Sequence, residues 1–210
     1  GYIICKISWS SLGKYSSENC TNDIIKMANA KLKCLCRHGS VWKQSLRKTL
    51  YNSLIQCLFD YSCSSWYYSL SKSLKLKLQV TQNKVIRFIN NSGPRTSIKG
   101  NVFKELNMPH VENRISQLAL NHVHNFFYNQ CPAYLKEHFT KISAKHKYNT
   151  RSSSFNFHVP SINSSTSNTF YYNAILVWNG RLPDRIKEIK NHYHFKKQVK
   201  KHLLDCYNMF

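Results

Sequence analysis

Residues 59–89 read FDYSCSSWYYSLSKSLKLKLQVTQNKVIRFI, and the second half of this stretch decides the fold. From a Ser71 or Ser73 cap, Leu74, Leu78, Thr81, Val85, Phe88 and Ile89 fall on one stripe at helical spacing. Lys72, Lys75, Lys77, Lys84 and Arg87 occupy the rest of the circumference. A helix built this way packs along one side and presents cations on the other. Asn91, Ser92, Gly93 and Pro94 end it.

Two helices are predicted before it. Thr21 and Asn22 cap the first, whose apolar positions Ile24, Ile25, Ala28, Leu32 and Leu35 recur at three- and four-residue spacing up to Gly39. Ser40 caps the second, with Leu46, Leu50, Leu54 and Leu58 on one face. Short loops between such helices favour antiparallel packing. Tyr61, Trp66 and Tyr67 then read as the seam between the second helix and the third.

After Pro109 a fourth helix is predicted over about Val111 to Tyr128, with Ile115, Leu118, Ala119, Val123 and Phe126 inward. The stretch 152–169 holds 12 Ser, Thr or Asn residues in 18, the composition of a loop or linker. Within it Phe155, Phe157 and Val159 alternate, suggesting one short strand. Phe170 to Trp178 is apolar enough to pack, and Pro183 stands where a helix can begin. An amphipathic helix from Phe195 to Leu204 closes the chain, with Lys196, Lys197, Lys200 and Lys201 outward. The expected class is mainly α, with domains at 21–139 and 170–210, a linker at 140–169, and a connecting segment at 1–20.

Charge narrows the partner. Thirty-one Lys and Arg face nine acids, a formal +22, and 42% of the chain is hydrophobic, enough for a core. Residues 1–105 carry 17 basic and four acidic residues, and residues 106–210 carry 14 and five, so no single tail holds the excess. A compact chain so charged repels itself unless it meets a polyanion, and nucleic acid is the expected partner. The eight cysteines (Cys5, Cys20, Cys34, Cys36, Cys57, Cys63, Cys131 and Cys206) sit in apolar helical patterns, and no leader peptide is expected before them. Reduced thiols in an intracellular protein, nuclear or cytoplasmic and not secreted, fit that pattern. No apolar run approaches the ~20 residues that cross a bilayer, and no membrane partner is expected.

No catalytic or cofactor site is expected. The carboxylates stand one at a time, whereas acid–base catalysis and two-metal chemistry need them gathered. Asp184 and Glu188 lie four apart beside Arg185 and Lys187 and read as surface ion pairs. Cys34, Cys36 and His38, and the pairs His122/His124 and His192/His194, lack the matched spacing of a zinc site. His122 reads as a hydrogen-bonded core histidine. The isolated glycines exclude a P-loop. The candidate contacts are therefore Lys72, Lys75, Lys77, Lys84 and Arg87 on the third helix, with Arg151 and Lys196, Lys197, Lys200 and Lys201 as a second zone. Lysines on one face neutralise phosphates without reading sequence, and nearby tyrosines can stack on bases.

Phe59-Asp60-Tyr61 with Trp66, then Lys77-Leu78-Gln79, Gln82-Asn83-Lys84 and Ile86-Arg87, resemble the region following the catalytic palm in reverse transcriptases of LINE-type retrotransposons, which lack long terminal repeats. Asn149-Thr150-Arg151-Ser152, Trp178-Asn179, Leu182-Pro183 and Phe195-Lys196 resemble the C-terminal tail of the same polyproteins. The likeness runs in order over nearly the whole chain. Departures are the missing glycine at Tyr2-Ile3-Ile4-Cys5, Ser8 near where an acid is usual, and two residues between Trp178-Asn179 and Leu182-Pro183 where one is usual. The resemblance implies an antiparallel helical thumb-like bundle followed by a smaller, partly irregular helical C-terminal unit. It implies a grip on RNA–DNA or DNA duplex, sequence-nonspecific, by a non-catalytic piece of an RNA-directed DNA polymerase. The palm aspartates would lie before Gly1, and the missing palm becomes a second expected partner. A structural or protein-interaction fragment, or a relic without independent activity, stands as the alternative.

Overall fold

A computed structural model of the chain describes residues 17–98, 100–128, 139–145, 155–161 and 166–205. Most of the expected connection at 1–20, and all of Arg151, Cys5, Cys131 and Cys206, lie outside them. In chain order the α-helices are α1 (Ser17–His38), α2 (Gln44–Tyr51), α3 (Cys57–Asp60), α4 (Cys63–Trp66), α5 (Lys72–Ile89), α6 (Gly100–Glu105), α7 (Val111–Phe127), α8 (Ile142–Lys145), α9 (Phe170–Arg181), α10 (Asp184–Lys187) and α11 (His192–Asp205). The protein is mainly α. The expected strand at 155–159 is instead one isolated antiparallel bridge, Lys141 to Phe157, among the described residues.

Two compact units form. The first takes residues 17–61 and 69–96, the second 62–68 and 97–205. The expected boundaries fall elsewhere in this division, since α7, grouped in sequence with the first three helices, packs against α9 and α11 in the second unit.

In the first unit α1 and α2 both pack on α5. α1 begins at Ser17 rather than at a Thr21 cap, and Thr21 is fully buried inside it. Ile24, Ala28, Leu32 and Leu35 are buried as their spacing predicts. The leucine face expected of the second helix is overturned: Leu46 and Leu54 are exposed, and the neighbouring stripe Arg47, Tyr51, Ile55 and Phe59 is buried instead. That stripe carries two aromatic rings, which bury more apolar area than leucines do. The helix also widens to a π turn at Asn52–Gln56, where the Tyr51 hydroxyl donates to the Gln56 side chain, which donates to Asp60 Oδ1 at 2.6 Å.

Arg47 is the polar member of the stripe. Its Nε donates to the Gly39 carbonyl (2.8 Å), where α1 ends, and its Nη1 to the Phe88 (3.1 Å) and Ile89 (3.4 Å) carbonyls, where α5 ends. The last carbonyls of a helix lack partners within it, and one guanidinium serves two such ends. A Cβ at Gly39 would overlap the Phe88 ring, so glycine permits the close approach. α5 stops in a left-handed Asn91 (φ 54°), with Ser92 N–H bonded to the Arg87 carbonyl (2.9 Å) and Asn91 N–H to that of Phe88 (3.2 Å), a Schellman closure.

In the second unit, Trp66 and Tyr67 are buried, but α4 packs on α7 rather than forming a seam between the second and third helices. Tyr61 is exposed. On α7 the inward residues include Leu120 and Phe127, while Leu118 and Phe126 are half-buried. The core gathers Leu120, Val123, Ile175, Trp178, Phe195 and Val199 with Phe157, a residue of the Ser/Asn-rich stretch. Trp178 and Asn179 hold that segment: Trp178 Nε1 donates to the Phe155 carbonyl (2.8 Å), Asn179 Nδ2 donates to the Phe157 carbonyl (2.8 Å), and Phe157 N–H donates to Asn179 Oδ1 (3.1 Å). One side-chain amide thus pairs both backbone groups of Phe157, as a neighbouring strand would.

Arg47→Met removes the guanidinium bonds to three helix-end carbonyls at a buried site, although Gly39 and Phe88 keep the Trp42 and Asn91 N–H groups as donors. We expect a loss of about 2–4 kcal/mol, read from urea unfolding, with Arg47→Lys recovering only part because an ammonium lacks the fork. Phe157→Ala removes a fully buried ring and is expected to cost about 3–5 kcal/mol. A loss under about 1 kcal/mol would mean the 155–161 segment lies outside the folding core.

Candidate nucleic-acid interface

The cations of α5 divide by what they touch. Lys72 and Lys77 are exposed, and their ammonium groups have no hydrogen bond or ion pair among the described residues. Lys84 is exposed and reaches Asn29 Oδ1 on α1 at 3.3 Å. Lys75 and Arg87 are half-buried, and the Arg87 Nε donates to the Thr96 carbonyl at 2.9 Å, tying down the loop after the helix. So three of the five expected contacts face outward and Arg87 serves the fold. The row Lys72, Leu76, Val80, Lys84 advances one turn at a time, and its middle is apolar: Leu76 is 64% exposed and Val80 44%.

Two cations escaped the sequence reading. On α1, Lys33 and Arg37 are exposed and share the helix face of Asn29, the residue that meets Lys84. They extend the positive surface of α5 onto its neighbour. Their four-residue spacing was visible in the sequence, but the packing that sets α1 beside α5 was not. Acids do little to neutralise this unit. Between Asp60 and Glu105 the chain contains no carboxylate, and Asp23 is held by Lys26 at 3.3 Å.

In the second unit, Lys196, Lys197 and Lys201 of α11 are exposed and Lys200 is half-buried. Other cations are engaged. Arg181 Nη2 bonds Glu112 Oε1 at 2.7 Å, and Lys104 reaches Asp205 at 3.6 Å. The expected surface pairing near Asp184 is a different object: Lys187 is 1% exposed, and its ammonium donates to Asp184 Oδ1 (3.1 Å) and Asn156 Oδ1 (2.8 Å). Glu188 follows α10 in a turn and is exposed.

The core histidine is His124, not His122. His124 is fully buried between the Phe195 ring (centroids 4.1 Å apart) and Tyr128 (4.7 Å), whereas His122 is exposed with its ring edge-on to Phe170. His124 Nε2 lies 2.7 Å from the Ile189 carbonyl and His124 Nδ1 lies 3.2 Å from Nδ1 of His192. A carbonyl only accepts, so Nε2 carries the proton of His124; its Nδ1 then accepts from His192. A second proton on His124 would remove that acceptor, and the contact would then hold only with the His192 proton moved to its Nε2. Burial lowers the pKa of His124, against the opposing effect of its hydrogen bonds to Ile189 and Asn125. Partial desolvation also lowers those of His192 and His122, with the Lys196 charge adding to both.

Among the described residues no group of three or more His, Cys, Asp or Glu could hold a metal ion, and no helix is long and apolar enough to cross a membrane. Cys34, Cys36 and Cys57 are exposed, Cys20 is half-buried and Cys63 is buried. Searches of protein-family models, of curated proteins and of solved structures return no match for this chain.

The histidine geometry sets a pH dependence. Imidazoles with lowered folded pKa values bind protons more readily in the unfolded chain, so their contribution is complete above the ordinary histidine range and is lost as pH falls through it. The urea midpoint of the second unit is expected to drop between pH 7.5 and 5.5, a window above the ordinary carboxylate range. His124→Gln, which keeps a donor for Ile189, should shrink the difference. A midpoint that stays level or rises on acidification would contradict the assignment.

Proposed function

We propose that the chain is a non-catalytic, nucleic-acid-binding C-terminal piece of a LINE-type retrotransposon reverse transcriptase, and that its first unit acts as a thumb-like grip on template–primer duplex. One observation carries this reading. Lys72 and Lys77, joined by Lys84, Lys33 and Arg37, stand on the outer faces of two packed helices in a unit whose longest acid-free run covers all of α5. Cations set on rigid helices and left without carboxylates neutralise phosphates at small further cost in order. Such contacts hold a duplex without specifying its sequence. Covalent chemistry would belong to a palm supplied by the parent RNA-directed DNA polymerase. Arg151, expected in the second zone, lies outside the described residues.

A second reading has its own support. Leu76 and Val80 interrupt the cationic row with exposed apolar surface, which suits an acidic, partly apolar protein surface such as a polymerase palm. Competition with free RNA–DNA hybrid separates the two, because only the first gives affinity for hybrid without a protein partner.

Replacing Lys72, Lys77 and Lys84 by Gln is expected to flatten the salt dependence of hybrid binding by about 0.9 in log K per log salt for each phosphate no longer neutralised. The thermal melt should be little changed, since all three side chains are exposed. An unchanged slope removes α5 from the interface.

A further inference from the structure

We infer that the outer face of α11, together with the cleft between α10 and α11, is a binding site for single-stranded nucleic acid; the inference rests on the nucleic-acid reading above and assigns to this unit a substrate form that α5 is not built to take.

The helix is sharply two-faced. Phe195, Val199 and Leu203 are buried in its inner row. Turned away from them, Tyr193, Lys197 and Lys201 follow one another at four-residue intervals. Tyr193 is 79% exposed. Leaving a tyrosine ring this far in water forgoes the burial that aromatic side chains ordinarily supply, and its neighbours on the face are ammonium groups with no partner among the described residues. An exposed ring followed by cations is the arrangement on which an unpaired base stacks while its phosphates are neutralised.

The cleft supplies the second observation. It is an open cleft of about 410 Å³, and Lys201 belongs to its wall as well as to the outer row. Ile186 and Ile189 give it an apolar base suited to a planar ring. Arg185, exposed and without a partner among the described residues, stands on the α10 side with its guanidinium available to a phosphate. Gln198 and Asp205 offer a donor, an amide oxygen and a carboxylate to a base edge. The Asp205 charge is already offset by Lys104 at 3.6 Å, so it does not turn an anionic strand away.

Position along the helix fits a short strand. Eight residues from Tyr193 to Lys201 rise about 12 Å, the length of a few nucleotides of strand. One base would lie on Tyr193, phosphates would pass Lys197 and Lys201, and a further nucleotide would enter the cleft toward Arg185. A duplex cannot use the site in this way, because its bases are stacked and paired and have no free face to offer. The outer row of α5 differs in kind, since between its lysines it carries aliphatic Leu76 and Val80 and no aromatic ring.

The test uses the whole chain and two labelled probes, an oligothymidylate strand and a blunt-ended DNA duplex. Tyr193→Ala is expected to weaken binding of the strand by about tenfold and to leave duplex binding within about twofold, while Tyr193→Phe restores the strand affinity. Replacing Arg185 and Lys201 by Gln should flatten the salt dependence for the strand by about 0.7 for each phosphate that goes unneutralised. Tyr193 is a surface side chain, so loss of folding does not confound the result. The inference is overturned if Tyr193→Ala leaves strand binding unchanged, or if strand and duplex weaken equally. If that happens while the Gln substitutions on α5 still flatten the salt dependence of duplex binding, the nucleic-acid reading survives without this site. If the unaltered chain binds neither probe, both fall.

Discussion

Nine carboxylates among thirty-one cationic side chains is the constraint under which the whole molecule is built. A fold with so few acids cannot stitch its helices together with ion pairs, and exposed pairs would add little in any case. The acids are used sparingly. Glu112 meets Arg181, Asp184 meets Lys187, and Asp205 meets Lys104. Among the described residues other cations find backbone carbonyls, as Arg47, Lys31 and Arg87 do, or side-chain amides, as Lys84 and Arg114 do, and several stand in solvent. A surface open to an external polyanion is thus what an internal shortage leaves behind.

Buried polar groups do what ion pairs cannot. Arg47 spreads its guanidinium over the ends of α1 and α5, and Lys187 lies buried with Asn156 and Asp184 as partners. Removing such a group costs more than the bonds themselves, because its partners are left desolvated. In the second unit Asn179 plays the part of a missing strand for Phe157, and Trp178 anchors the segment beside it. These two residues also belong to the motif that resembles the retrotransposon tail, and here they fix an irregular segment over an aromatic core. His124 joins α7 to the segment before α11 through its Nε2–H bond to the Ile189 carbonyl.

How much was legible in the sequence differs by element. The buried stripe of α5 was readable because its period is that of a helix and its apolar residues are unambiguous. The second helix misled, because Leu46, Leu50, Leu54 and Leu58 repeat as regularly as the stripe that is buried. Nothing in a one-dimensional pattern reveals that Arg47 has two helix ends to serve. The Ser/Asn-rich stretch read as linker, yet Phe157 is core. Its burial depends on Asn179, twenty-two residues away. Among the candidate contacts, the helix positions of Lys72, Lys77 and Lys84 were recoverable, whereas the tie of Arg87 to Thr96 and the adjacency of Lys33 and Arg37 to α5 were not.

The sequence by itself determined that the chain is helical, where the long helices run, and that its surface is strongly cationic, because period and composition are local properties of the chain. Only the tertiary structure decided which of two equivalent helix faces is buried, which cations are left to solvent, and how the helices are shared between the two units. Those outcomes depend on partners far apart in the chain, and a helix chooses its inner face by what that face can bury and bond against.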